Sequence, residues 1–139
     1  MLSLACAARP QHKGAGMVSL RFDHDRFVVK NTGNGAVDLR RKVLVERKEN
    51  GSWVETAAEV YLIASCAEKD LESPLHLGAG QELVVLPWNG WGCDGQCPRP
   101  CRANYYLGPG DFRFVVFSAD GKHRFDGPVF KLGAEDPRK

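Results

Sequence analysis

The sequence predicts a single small all-β domain, and three observations carry the prediction. The chain has 139 residues, about the length of one domain. From Met17 onward, short runs of alternating apolar and polar residues are cut by turn residues roughly every 8–12 positions, which is typical of antiparallel sandwiches and barrels. No long segment places its apolar residues at the 3.6-residue period of a helix.

The strands are predicted from this alternation. Val18, Leu20 and Phe22 define the first strand, which ends in a polar turn at 23–25. Further strands are expected at 27–31, from 37 through 47, from 53, at 82–86, at 112–117 and at 129–132. Asn50-Gly51 is the strongest hairpin signal, because a type I′ turn needs positive φ at both central residues. Residues 57–71 are ambiguous between strand, loop and a helical turn, and residues 75–80 read as a turn.

This pattern divides the chain into three parts. Residues 1–16 have no periodicity and read as a disordered tail or signal remnant. Residues 17–132 form the β-domain, and residues 133–139 form a charged C-terminal tail. Within the domain, residues 87–104 lack periodicity and carry three Cys, three Pro, three Gly and two Trp residues. A loop of this length inside a small domain is usually functional or cross-linked.

The charge of the chain gives no sign of a nucleic-acid partner. The formal charge is only +2, with 19 Lys and Arg residues against 17 Asp and Glu residues. Arg40-Arg41-Lys42 is the densest basic run, and Glu46 and Glu49 follow it, so we interpret the run as the solvated end of a strand. No apolar stretch approaches the roughly 18 residues that a membrane span requires.

The first residues indicate export. Met1 to Ala5 is apolar and ends in a small residue before Cys6, as in the tail of a bacterial lipoprotein signal in which the Cys is lipidated. Ser3 stands where such signals usually have an aliphatic residue, and a stray Cys in a tail is the alternative. On the first interpretation the protein is periplasmic or an outer-membrane lipoprotein, and it touches the membrane only through a lipid anchor at Cys6.

The remaining cysteines point to the same compartment. They are even in number, and three fall within nine residues: Cys66, Cys93, Cys97 and Cys101. This predicts two disulfides formed in an oxidising compartment, with three pairings open. A tetrahedral zinc site built from the same four residues is the alternative, although Pro98 and Pro100 hinder the backbone from wrapping around a metal.

Aromatic and cationic residues flank this cluster and form the candidate binding site. They are Trp88, Trp91, Tyr105, Arg99 and Arg102. Aromatic and Arg side chains on a rigid loop are typical of surfaces that anchor a partner, with Trp91 the member expected to be exposed. The alternative is that Trp88 and the neighbouring Tyr106 belong to the hydrophobic core.

The order of motifs resembles a known family. Lys30-Asn31-Thr32-Gly33 is similar to a turn of bacterial immunoglobulin-like modules, and it is followed by Trp53, Trp88 and the Leu-x-Pro-Gly-x-Phe-x-Phe motif at 107–114. This order resembles the bacterial intracellular proteinase inhibitor (BsuPI-type) family over about two thirds of the chain. The resemblance implies an immunoglobulin-like antiparallel β-sandwich of about 7–9 strands. The Cys-rich insert at 93–101 departs from the family pattern.

No constellation in the sequence predicts catalysis. The four His residues are scattered, and neither a Gly-x-Ser-x-Gly elbow nor a His-Glu-x-x-His motif occurs. We therefore expect a protein that is not an enzyme and has no cofactor or metal, an exported binding module that engages a protein partner of the cell envelope. A BsuPI-type proteinase inhibitor and a four-cysteine zinc domain are the alternative functions.

Overall fold

The protein folds into an all-β structure. The computed structural model describes residues 17–93, 95–98 and 104–134, and these contain strands but no helix. The eleven strands are β1 (Val18–Asp23), β2 (Arg26–Asn31), β3 (Val37–Leu39), β4 (Lys42–Glu49), β5 (Ser52–Glu55), β6 (Val60–Tyr61), β7 (Leu75–Leu77), β8 (Glu82–Val85), β9 (Gly110–Phe117), β10 (Arg124–Asp126) and β11 (Phe130–Leu132). The predicted tails at 1–16 and 135–139 lie outside the described residues.

The strands form three antiparallel sheets. The first sheet has the order β1-β2-β8. The second has six strands in the order β10-β9-β4-β5, with β11 also paired to β9 and β6 also paired to β4. The third is the pair of β3 with β7. Most of these pairs join strands that are distant in sequence.

The two larger sheets share one hydrophobic core. Alternate residues of each strand point inward, as the period of two in the sequence predicts. Phe27 of β2 and Phe114 of β9 meet in the centre, with ring centroids 4.9 Å apart and their planes at 71°. Around them lie buried aliphatic and aromatic side chains from both sheets, including Val29, Val85, Val43, Val45, Phe112 and Val116.

The turn predictions are confirmed where a special backbone angle is needed. Asn50 and Gly51 have φ values of 52° and 83°, as a type I′ turn requires. Asn31, in the predicted Asn-Thr-Gly turn, is fully buried, and its side chain stabilises that turn: it donates to the carbonyls of Gly35 and Leu77 and accepts from the Gly33 N–H.

The structure has more strands than the seven to nine expected. The segment predicted to run as one strand from Val37 is divided into β3 and β4, which belong to different sheets. The additional strands β6, β7 and β10 have two or three residues each. The expectation of a turn at 75–80 was wrong for residues 75–77, which pair with β3. Strands of two or three residues are too short to show an alternation of apolar and polar residues in the sequence. They form because a distant strand pairs with them.

Candidate binding surface

The 87–106 loop connects the two larger sheets and is anchored in the core by Trp88. The indole ring lies 5.9 Å from the Phe112 ring, 5.8 Å from that of Phe114 and 6.2 Å from that of Phe130. Its Nε1–H donates to the Trp91 carbonyl over 2.7 Å. Trp88 therefore packs against the core, which was the alternative interpretation of this residue.

A disulfide ties the loop to a second irregular segment. Cys97 in the loop is bonded to Cys66, 31 residues earlier in the chain, which confirms the predicted disulfide for these two residues. Cys93 is also disulfide-bonded. The four-cysteine zinc alternative needs Cys66 and Cys97 as thiolate ligands, and here these two residues are bonded to each other.

Gln96 adds a polar anchor next to the disulfide. Its side-chain oxygen accepts from the Tyr61 N–H over 3.0 Å, and its amide nitrogen donates to the carbonyls of Tyr61 and Leu86. The loop backbone contributes a further bond, from the Glu59 N–H to the Gly92 carbonyl. The loop is therefore docked along the 59–63 segment by covalent, side-chain and backbone contacts.

The two arms of the loop pair with each other. Trp91 and Tyr106 form an isolated antiparallel bridge, and the Gly92 N–H donates to the Tyr105 carbonyl. The Tyr106 hydroxyl donates to the Gly133 carbonyl over 2.7 Å, which joins this arm to the chain after β11. Trp91, expected to be the exposed member, is half-buried because of this pairing.

Two exposed apolar side chains are Tyr105 of the loop and Val129, which lines a pocket together with Pro87 and Trp88. Tyr105 is 51% exposed and Val129 is 57% exposed, the latter beside a pocket of about 400 Å³. Pro87 and Trp88 from the loop line the same pocket, together with the rings of Phe22, Phe27, Phe114 and Phe130. We call Pro87, Trp91, Tyr105 and Val129 the loop face. Arg99, Arg102, Cys101 and Cys6, which were also predicted site residues, lie outside the described residues.

A charged network on the outer face of the larger sheet was not identified from the sequence. Glu46 is buried and accepts from Arg113 over 2.8 Å and from Arg124 over 2.9 Å. The pKa of Arg124 is raised above its ordinary value. Burial alone would lower this pKa, but the hydrogen bond to Asp126 and the negative charges of Asp126 and Glu46 outweigh that effect. The Arg113 guanidinium also stacks on Trp53, 4.4 Å from the ring centroid. The sequence could not identify this network, because the partners of Glu46 come from β9 and β10.

Three further acidic groups interact within strand pairs or turns. Asp38 and His76 approach to 2.6 Å as directly opposed residues of β3 and β7. The Ser73 hydroxyl and N–H hold the pKa of Asp70 below its ordinary value, and the Ser118 hydroxyl lowers the pKa of Asp120. Within the described part of the chain, no group of three or more His, Cys, Asp or Glu side chains could hold a metal ion.

Comparison of the sequence with protein-family models and with curated proteins found no significant match. Over residues 17–93, 95–98 and 104–134, no helix is long and apolar enough to cross a membrane.

Proposed function

We propose that this chain is a non-catalytic immunoglobulin-like domain of the bacterial cell envelope that binds a protein partner through the loop face. The observation that carries the proposal is the anchoring of the 87–106 loop. The Cys66–Cys97 disulfide, Gln96 and the half-buried Trp88 ring hold it in place while Tyr105 stays exposed. A pre-ordered loop loses little entropy when a partner binds, which favours affinity.

The strand order supports the immunoglobulin-like assignment. In such sandwiches one sheet contains the strands A, B and E, and the other contains G, F, C and in some domains C′. Taken in chain order, β1, β2 and β8 correspond to A, B and E, while β10, β9, β4 and β5 correspond to G, F, C and C′. The shared core between the two sheets agrees with this correspondence.

The disulfide supports export. Disulfides persist in extracytoplasmic compartments and are rare where thiols are kept reduced. The proposed location is the periplasm or the outer membrane, with lipidation at Cys6 as the means of attachment. Intact-mass measurement with and without reductant tests this, since two disulfides leave the native chain four protons lighter than the reduced chain.

Binding through the loop face is tested by introducing a negative charge at its exposed residues. The purified wild-type chain is crosslinked in an envelope extract, and any captured protein is then titrated against Tyr105→Glu and Val129→Glu. A charge placed in an apolar interface is expected to weaken binding at least about tenfold. Val54→Glu is the matched control, because Val54 is 42% exposed on β5, outside the loop face. Equal loss in all three variants, or loss in Val54→Glu alone, would contradict the proposal.

Proteinase inhibition is a second candidate, favoured by one feature of the loop. Pro98 is exposed and directly follows the disulfide-bonded Cys97, so a segment rich in Pro begins at a covalent anchor. Because proline restricts φ, a Pro-rich sequence loses less entropy than most when it enters a protease cleft. A panel of serine, cysteine and metalloproteases assayed with micromolar protein tests this function. Residual activity near 100% throughout the panel would exclude it at that concentration.

A further inference from the structure

A bulge in the edge of the larger sheet forms a second concave site. Strand β5 pairs with β4 up to Glu55, which lies opposite Glu46, and β6 resumes the pairing at Val60, opposite Val43. Four residues, 56–59, therefore face only two residues of β4. Thr56 starts this bulge with two hydrogen bonds, because its N–H and its hydroxyl both donate to the Val45 carbonyl.

The bulge leaves part of the sheet surface uncovered and creates a pocket of about 450 Å³, which we call the bulge pocket. Leu44 and Phe117 are half-buried side chains that line it, and Ala57 and Ala58 of the bulge supply further apolar surface. Its volume lies within the range of about 300–1,000 Å³ that is common for small-molecule sites.

Charges of both signs line the same pocket. Arg40 and Lys42 come from the chain entering β4, whereas Glu55 and Glu59 come from the two ends of the bulge. Among the described residues none of these four side chains has an ion-pair partner, although cations and anions line one pocket. The Arg40 guanidinium lies 5.8 Å from the centroid of the Phe117 ring, which places a cation beside the apolar surface.

On the neighbouring surface of the same sheet, the charged side chains do have ion-pair partners. On β4 itself, just beyond the pocket, Glu46 is paired with Arg113 of β9 and Arg124 of β10. Asp126 is paired with Arg124 over 2.7 Å. The charged groups of that network already pair with one another, so they have little capacity left to bind a ligand. The bulge pocket instead combines unpaired cations, unpaired anions and an apolar lining.

We propose that the bulge pocket binds a small zwitterion with an apolar side group, the chemical class of a free apolar α-amino acid. The ligand's carboxylate pairs with Arg40 and Lys42, and its ammonium group pairs with Glu55 and Glu59. Its side chain packs against Leu44 and Phe117. A ligand of one charge sign would leave half of the lining charges unmatched, which favours a zwitterion over a simple anion or cation. This site is independent of the loop face and of its protein partner.

Titration of the isotopically labelled full chain with phenylalanine, followed by two-dimensional NMR, tests the proposal. Saturable shifts are expected for the amides of Leu44, Thr56 and Phe117. N-acetylphenylalanine lacks the ammonium charge and phenylalanine amide lacks the carboxylate. Each is expected to bind at least about tenfold more weakly, because charge-assisted hydrogen bonds are lost.

Variants of the two glutamates test whether they bind the ammonium group of the ligand. Glu55→Gln/Glu59→Gln is expected to weaken phenylalanine at least about tenfold and to leave the already weak amino-blocked compound unchanged. Glu82→Gln, on the other sheet, is the matched control and keeps wild-type affinity. Three outcomes would overturn the proposal: no saturable shift up to about 10 mM phenylalanine, equal affinity for all three compounds, or shifts at these residues that depend only on protein concentration. The last outcome would indicate contact with a second copy of the chain.

Discussion

The two irregular segments of this molecule, the 56–59 bulge and the 87–106 loop, are held in place by different means. The bulge is short and lies between two strands of one sheet, and it is held mainly by Thr56 and the flanking pairs of β5 and β6, with one backbone bond from Glu59 to Gly92 of the loop. The loop is long and joins two sheets. It is held by contacts with distant segments: the Cys66–Cys97 disulfide, Gln96 and Trp88.

This difference shows how irregular backbone is ordered in a small β-domain. The strand pairing on both sides of a bulge fixes its position. A long connection requires additional contacts, because its conformational entropy opposes any single conformation. Removing anchors should therefore affect the loop far more than the bulge.

Removing the disulfide is expected to have the largest effect. Cys66→Ala/Cys97→Ala opens a covalent loop of 31 residues and should lower the free energy of unfolding by about 3–4 kcal/mol. The double variant avoids a free thiol and retains the Cys93 disulfide. Urea unfolding monitored by tryptophan fluorescence measures the change. An unaltered midpoint would mean that the non-covalent anchors suffice to order the loop.

Removing the Gln96 side chain is expected to have an intermediate effect. Gln96→Ala leaves the Tyr61 N–H and two carbonyls without their side-chain partner, which should cost about 1–3 kcal/mol. Gln81→Ala is the matched control, because Gln81 is exposed and its side chain accepts one hydrogen bond, from the Gly78 N–H. Thermal unfolding compares the two, and an equal shift in both would refute a special role for Gln96.

Changing Thr56 is expected to have a smaller effect on the bulge. Thr56→Val keeps the shape and removes the hydroxyl that donates to the Val45 carbonyl, so the cost should be about 0.5–1.5 kcal/mol. Thr56→Ser retains the hydroxyl and serves as the control. The same thermal assay measures both. A loss larger than that of Gln96→Ala would reverse the ranking of the two segments.

The smallest effect is expected for Asp70, in the segment that carries Cys66, and it concerns the dependence of stability on pH. Hydrogen bonds from Ser73 lower the pKa of Asp70 in the folded state, so the carboxylate stabilises the fold above the unfolded pKa near about 4. That contribution is lost as the pH falls through the lower folded pKa. Asp70→Asn should remove this part of the acid sensitivity below about pH 4.

Asp25→Asn is the control for this measurement, since no described residue donates a hydrogen bond to the Asp25 side chain. Acid unfolding curves of the two variants and the wild type provide the comparison. Identical curves for Asp70→Asn and the wild type would show that the turn at 70–73 does not contribute.

Much of the regular structure could be predicted from the sequence because it depends on local patterns. The alternation of Val18, Leu20 and Phe22, and the positive φ that Asn50-Gly51 accommodates, act within a few residues. The candidate site could be predicted only in part. The cysteine spacing indicated a cross-linked loop, but it could not distinguish among the pairings or show that Trp91 would pair with Tyr106.

Local sequence patterns are sufficient to specify the all-β class, the main strands, their inward faces and the tight turns, since each follows from the period of two or from the allowed φ of single residues. The choice of neighbouring strands depends on the folded chain as a whole, and with it the short strands β6 and β7, the partners of Glu46 and the bulge pocket. Those features join residues far apart in the chain, and a local pattern carries no information about which distant segment will supply the other half of a contact.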